Sequence, residues 1–177
     1  KGRFINNTDQ IGSYDSLTID KNKLHLGLAT EYVQDKRNNI IIPQWGSYIR
    51  IRVQAYRGIG AYSASFGQLI PEVRVYKSLN AGSTIVLADR LGGTLSVGKT
   101  AFYQSAFIGG EGTLLGYRQF RFAGQHAAFN NFELRMKLAD LANYIVAGQF
   151  GITGFWDIGR VWEIHDNSGK WHQGTGG

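Results

Sequence analysis

"SYIRIRVQAYR", residues 47–57, places Ile49, Ile51, Val53 and Ala55 on one phase of a two-residue period and Arg50, Arg52 and Gln54 on the other. Only an extended strand sends successive side chains to opposite faces, so the stretch reads as a strand with one apolar and one polar face. Upstream, "KLHLGLATEYVQD" (23–35) repeats the pattern, with Leu24, Leu26, Leu28, Thr30 and Tyr32 against His25, Gly27, Ala29, Glu31 and Val33. Downstream, "QLIPEVRVYKS" (68–78) sets Leu69, Val73 and Val75 against Glu72, Arg74 and Tyr76. Pro71 interrupts that run and points to a bulge or an edge strand, because proline has no N–H to give to a ladder.

Further along, "STIVLADRLGG" (83–93) is a less regular fourth run. "NNFELRMKLAD" (130–140) contains strong helix formers, yet Phe132, Leu134, Met136 and Leu138 alternate with Glu133, Arg135 and Lys137, and that period predicts a strand. The last run is "YIVAGQFGITGFWDIGRVWE" (144–163), followed by a tail, "IHDNSGKWHQGTGG", that reads as loop, as do residues 1–22. Six strands are expected, at about 23–35, 45–57, 67–79, 83–92, 129–139 and 143–163, in one all-β domain covering 1–177, with a loop at about 101–126. Twenty-four glycines, two prolines and 13% aromatics suit this class. Hairpin order without a crossover helix predicts an antiparallel sheet.

Chemistry-bearing patterns are few. Without cysteine, the chain has no disulfide, thiolate metal site or cysteine nucleophile. The histidines at 25, 126, 165 and 172 are scattered, and His165 and His172, which share the tail with Glu163 and Asp166, read as solvated loop residues. Residues 93–100, "GTLSVGKT", match the P-loop spacing, but a short, aromatic, glycine-closed stretch follows where the phosphate-facing helix belongs, so they read as a strand end and turn. No nucleophile elbow occurs, and neither catalytic residues, a metal nor a cofactor is expected. A net charge of +6 without a basic run such as KKRK gives no case for a nucleic-acid partner.

No stretch approaches the roughly 20 apolar residues of a membrane-spanning helix, whereas a barrel strand needs only about 9–11. Alternation alone is silent on which phase faces inward: a soluble barrel that binds a small molecule and a membrane barrel share the period with opposite sense. Tyr32, Trp45, Tyr48, Tyr56, Tyr76, Tyr144 and Trp162 lie near strand ends, where an aromatic girdle meets lipid headgroups, although aromatics are also common in strands generally. The start, Lys1-Gly2-Arg3-Phe4, lacks the apolar core of a signal peptide, so that an exported protein would be represented here by a mature chain or an internal segment.

The loop holds the most specific signal. "GGEGTLLGYRQFRFAG" (109–124) orders Gly109, Gly110, Leu114, Leu115, Gly116, Tyr117, Arg118 and Arg121 in a way that resembles the signature lumen loop of the BamA-type outer-membrane assembly superfamily. "NNFELRMKL", with Glu133 and Arg135, is similar to that family's Asn then Glu-Leu-Arg strand, and "GFWDIGRVW", with Phe155, Asp157 and Gly159, to its Phe-x-Asp-x-Gly strand. "QDKRNNIIIPQWG" (34–46) resembles its Asp-x-Arg-Asn turn.

The resemblance implies a transmembrane β-barrel segment, about six strands of a sixteen-stranded barrel, with the loop folded into the lumen. It implies a bacterial outer membrane, non-enzymatic work, and as partners outer-membrane lipids, unfolded outer-membrane proteins or a secreted partner, and accessory lipoproteins. A barrel anchor fused to a phosphoesterase or patatin-like enzyme is the alternative within the superfamily. In the family a loop arginine meets the aspartate that is Asp157 here. The matching position is Leu115, so Arg118 or Arg121 is expected to take its place.

Overall fold

Strands alternating in this way pair with their sequence neighbours, and the computed structural model, which describes residues 22–142, 147–163 and 170–176, shows that pairing in every long strand except across the inserted 99–125 segment. β1 (Leu24–Asp35), β2 (Gly46–Ile59), β3 (Phe66–Ser78) and β4 (Ile85–Gly98) form successive antiparallel hairpins. A 3-10 turn, Phe102–Gln104, and the short strands β5 (Ala106–Ile108) and β6 (Phe122–Gly124) then interrupt the meander. It resumes with β7 (His126–Ala142), β8 (Ala147–Trp162) and β9 (His172–Gly176). The main sheet has the order β1-β2-β3-β4-β7-β8-β9, every pair antiparallel, so the expected all-β class holds.

Four local expectations are corrected. The tail is not all loop: His172–Gly176 adds a seventh strand to the edge of β8. Pro71 sits in an interior strand, between β2 and β4, and the register there is unshifted. Lacking an N–H, the proline is accommodated by a local break: Leu69 pairs with Leu95 and Glu72 with Gly92, while Ile70 and Pro71 have no ladder partner on β4. The alternation of 130–140 does slip, at a bulge between Lys137 and Ala139 that leaves Leu138 unmatched against β8. β4 also continues past the expected end at 92 to Gly98, which absorbs most of the P-loop-like spacing into strand. Residues 1–21, 143–146 and 164–169, with Tyr144, His165 and Asp166, lie outside the described residues.

The two faces of the sheet differ sharply. One carries Leu24, Leu26, Leu28, Val53, Val73, Val75, Leu91, Leu95, Ile152 and Trp156, all exposed; Leu28, for example, retains 77% of its accessible surface. A soluble chain of this size buries most such side chains, whereas here the buried apolar cluster is small: Ala106, Ile108, Leu114, Ala127 and Phe129. The pattern of an apolar exterior is that of a strand wall facing lipid. Asp89 interrupts this open face, and its carboxylate accepts a 2.6 Å hydrogen bond from the Asn130 side chain, as a polar group without water requires. A soluble barrel with an apolar interior needs the reverse arrangement.

The opposite face carries the charges and the loop. Tyr48, Tyr56 and Tyr76 belong to it and are not part of an outward girdle: Tyr56 stacks on Phe66, Tyr76 is buried, and Tyr48 lies under the guanidinium groups of Arg37 and Arg74. Tyr32 and Trp45 remain exposed.

Candidate functional site

The segment between β4 and β7 folds back across the charged face and packs on β7 and β8. Its shape begins with glycine. Gly109 and Gly110 have φ of 121° and 88°, values that side-chain-bearing residues rarely adopt. A Cβ on Gly109 would also stand 2.6 Å from the Arg118 carbonyl, and one on Gly110 2.9 Å from the Gln119 Cα. The two glycines therefore let the outgoing and returning limbs touch. Gly110 and Leu114 exchange backbone hydrogen bonds of 3.0 Å each, and the Thr113 hydroxyl accepts from the Gly109 N–H at 2.7 Å. These close residues 109–114 into a compact turn.

That turn aims Leu114 inward, where it is fully buried beside Ile108. Both side chains end 3.1 Å from where a Cβ on Gly159 would lie, so Gly159 is the socket that receives the loop. Phe129, Ala127 and Val161 complete the apolar contact.

Around this core, consecutive strands hold consecutive parts of the loop. Arg90 on β4 donates to the Gly112 carbonyl at 2.7 Å, and Asn131 on β7 donates to the Thr113 carbonyl at 2.6 Å. On β8, Asp157 accepts from the Leu115 N–H at 2.8 Å, and the Tyr117 hydroxyl donates to the Gln173 carbonyl of β9 at 3.0 Å. Three of the four wall contacts go to loop backbone groups. β9 is shaped for the same contact at Gly174, where a Cβ would clash with the Leu115 carbonyl, and for the neighbouring strand at Gly176, where a Cβ would meet the Phe155 ring of β8 at 2.6 Å.

Each sequence-derived residue now has a place. Gly109, Gly110, Leu114, Leu115 and Tyr117 are brought onto the wall, and Gly116, with φ of 89°, makes the bend after Leu115. Asp157 and Gly159 contact the loop directly, while Phe155 covers Gly176. Glu133 and Arg135 share this face but pair with each other, at 2.6 and 2.8 Å.

The expected substitute for the missing arginine is corrected. Arg118 and Arg121 are exposed, and Arg121 lies against the Phe122 ring, 5.9 Å from its centroid. Neither bonds Asp157, which has no accessible surface and whose Oδ1 has no hydrogen-bond partner among the described residues. A short turn that points its N–H groups at a carboxylate does part of what a guanidinium would do, and here the Leu115 amide fills that role.

Sequence reasoning missed Arg90, Asn131, Thr113 and β9. The base of the loop was missed as well. There Gln68 donates to Ser96 Oγ at 3.0 Å and to the Gln104 carbonyl at 2.7 Å, Gln54 donates to Gln68 at 2.5 Å, and Gln104 accepts from the Ala101 N–H at 2.9 Å. Further along the same face of β3, the carboxylate of Glu72, 4% exposed, receives Arg50, Arg74 and Arg90 at 3.2, 2.5 and 2.8 Å. Among the described residues no cluster of three metal-ligating side chains occurs.

An antiparallel meander with an apolar open face, and with a glycine-rich loop docked on its polar face, defines a segment of a membrane β-barrel. The more particular identity follows from comparison. The Omp85 superfamily domain matches residues 4–177, and the chain belongs to that superfamily. Solved structures that resemble it include the crystal structure of BamA from Haemophilus ducreyi lacking POTRA domains 1–3, with a TM-score of 0.66 at 18% identity over 77% of this chain. The chain spans 30% of the length of that structure. No curated protein sequence matches it.

Proposed function

We propose that this sheet is part of the wall of a bacterial outer-membrane barrel whose non-enzymatic work is to insert other outer-membrane proteins, with the 99–125 segment as its lumen plug. The observation that carries the reading is the docking of one loop by four strands, β4, β7, β8 and β9, across the charged face while the opposite face stays apolar. In such a barrel Asp157, Glu133, Arg135, Phe155 and Gly159 face the lumen, and the loop residues Gly109 to Tyr117 stiffen the wall they cross. Outer-membrane lipids cover Leu26, Leu28 and Val53, unfolded outer-membrane proteins are the clients, and accessory lipoproteins are the expected partners. Membership in the superfamily and the likeness to the BamA barrel support this role.

The test is depletion of the natural polypeptide that carries this sequence. The polypeptide is expected in the outer membrane, and its loss is expected to lower the amount of folded barrel proteins there while their unfolded forms accumulate. Loss of a single secreted protein with all barrels intact would replace insertion by translocation. An enzymatic domain in the same polypeptide, with no barrel defect on depletion, would replace it by anchoring.

A further inference from the structure

We infer that Arg90 is the positioning residue that latches the loop in this chain, and that the latch grips backbone rather than side chains. This rests on the reading of the loop as a lumen plug and names the residue that holds it.

The geometry divides the work between two charges. On β4, Arg90 places Nε 2.8 Å from Glu72 and Nη1 2.7 Å from the Gly112 carbonyl, with its guanidinium carbon 5.1 Å from the Phe129 ring centroid. On β8, Asp157 takes the Leu115 N–H. A cation therefore holds a carbonyl and an anion holds an N–H, three residues apart in the loop and on strands that flank β7. Each is a charge-assisted hydrogen bond, stronger than a neutral one. Since both grip groups that every residue except proline possesses, the latch does not depend on the side chain at 115, and a leucine is tolerated there.

Glu72 makes the arrangement work. Its carboxylate orients Arg90 along the strand and leaves the outer nitrogen for Gly112, which needs the planar fork of a guanidinium. A lysine has one nitrogen on a flexible stem and cannot hold Glu72 and Gly112 in that geometry.

The experiment is hydrogen exchange on the full-length natural polypeptide in lipid nanodiscs, comparing wild type with Arg90→Met, Arg90→Lys and Leu115→Ala. Both Arg90 variants are expected to speed exchange of the amides in 109–117 by roughly ten- to hundredfold, with the amides of β3, β4 and β7 unchanged. Leu115→Ala is expected to leave loop exchange near wild type. Wild-type protection in both Arg90 variants would overturn the latch, as would full rescue by lysine. So would faster exchange throughout the sheet, which would make Arg90 a fold residue, or loosening by Leu115→Ala as large as that by Arg90→Met. The readout is taken on the purified barrel, so it stands whether or not depletion shows an insertion defect.

Discussion

The two faces of the sheet are written in alternate residues of the same strands, yet they obey opposite rules. On β3, Leu69, Val73 and Val75 lie exposed on the open face, while between them Glu72 is buried under three guanidinium groups. In water this would be an inverted protein. In a bilayer the open face is the buried one, and the charged face is stable because it supplies its own partners. The difference teaches that polarity here is sorted by loop and lipid, and not by a central core.

The largest expected effect breaks the open face. Val53→Arg should cost about 2–4 kcal/mol of folding stability in liposomes, as an arginine near the bilayer midplane does. Gln54→Arg, one residue away on the loop-bearing face, should cost well under half as much in the same urea titration. Equal costs would erase the distinction between the faces.

Next in size is the buried carboxylate. Glu72→Gln removes the anion shared by Arg50, Arg74 and Arg90, and should cost about 1–3 kcal/mol, since the charges lose their partner but keep partial access to solvent. Equilibrium unfolding at low and high salt checks it, and the loss should shrink as salt screens the like charges.

Gly159→Val sharpens the comparison by acting on the loop alone. Its Cβ would press on Ile108 and Leu114, a mismatch of about 1–3 kcal/mol. Limited proteolysis should then cut at Arg118 or Arg121 while the barrel stays folded. The smallest effect runs the other way: Leu115→Arg offers a guanidinium to Asp157 Oδ1, which has no partner among the described residues, and should slow loop exchange, by about threefold.

How much of this was legible depended on where each signal is stored. The strands and their phases were legible because Ile49, Ile51 and Val53 against Arg50 and Arg52 encode a period locally. Their sense was not, since a period of two is the same for either side out. The loop motif and Asp157 were legible through resemblance. Arg90 and Asn131 were not, because they bond carbonyls at Gly112 and Thr113, and a carbonyl leaves no residue type in the loop to match. β9 escaped for a related reason: Gly174 and Gly176 look like loop glycines until the Leu115 carbonyl and the Phe155 ring occupy the space over them. Pro71 pointed to a bulge or an edge and proved to be an interior break in an unshifted ladder, because the missing N–H is visible in sequence but the neighbouring strand is not.

The most direct test of the two-faced wall is a nitroxide scan. This segment has no cysteine, so single cysteines at 51, 53, 73 and 75, and at 50, 54 and 74, each give one label within it. In lipid nanodiscs the account predicts strong relaxation by oxygen and little by a water-soluble nickel chelate at 51, 53, 73 and 75, with weak oxygen relaxation at 50, 54 and 74. The reverse alternation, or nickel access along the whole of 51–75, would contradict a membrane wall and return the chain to water.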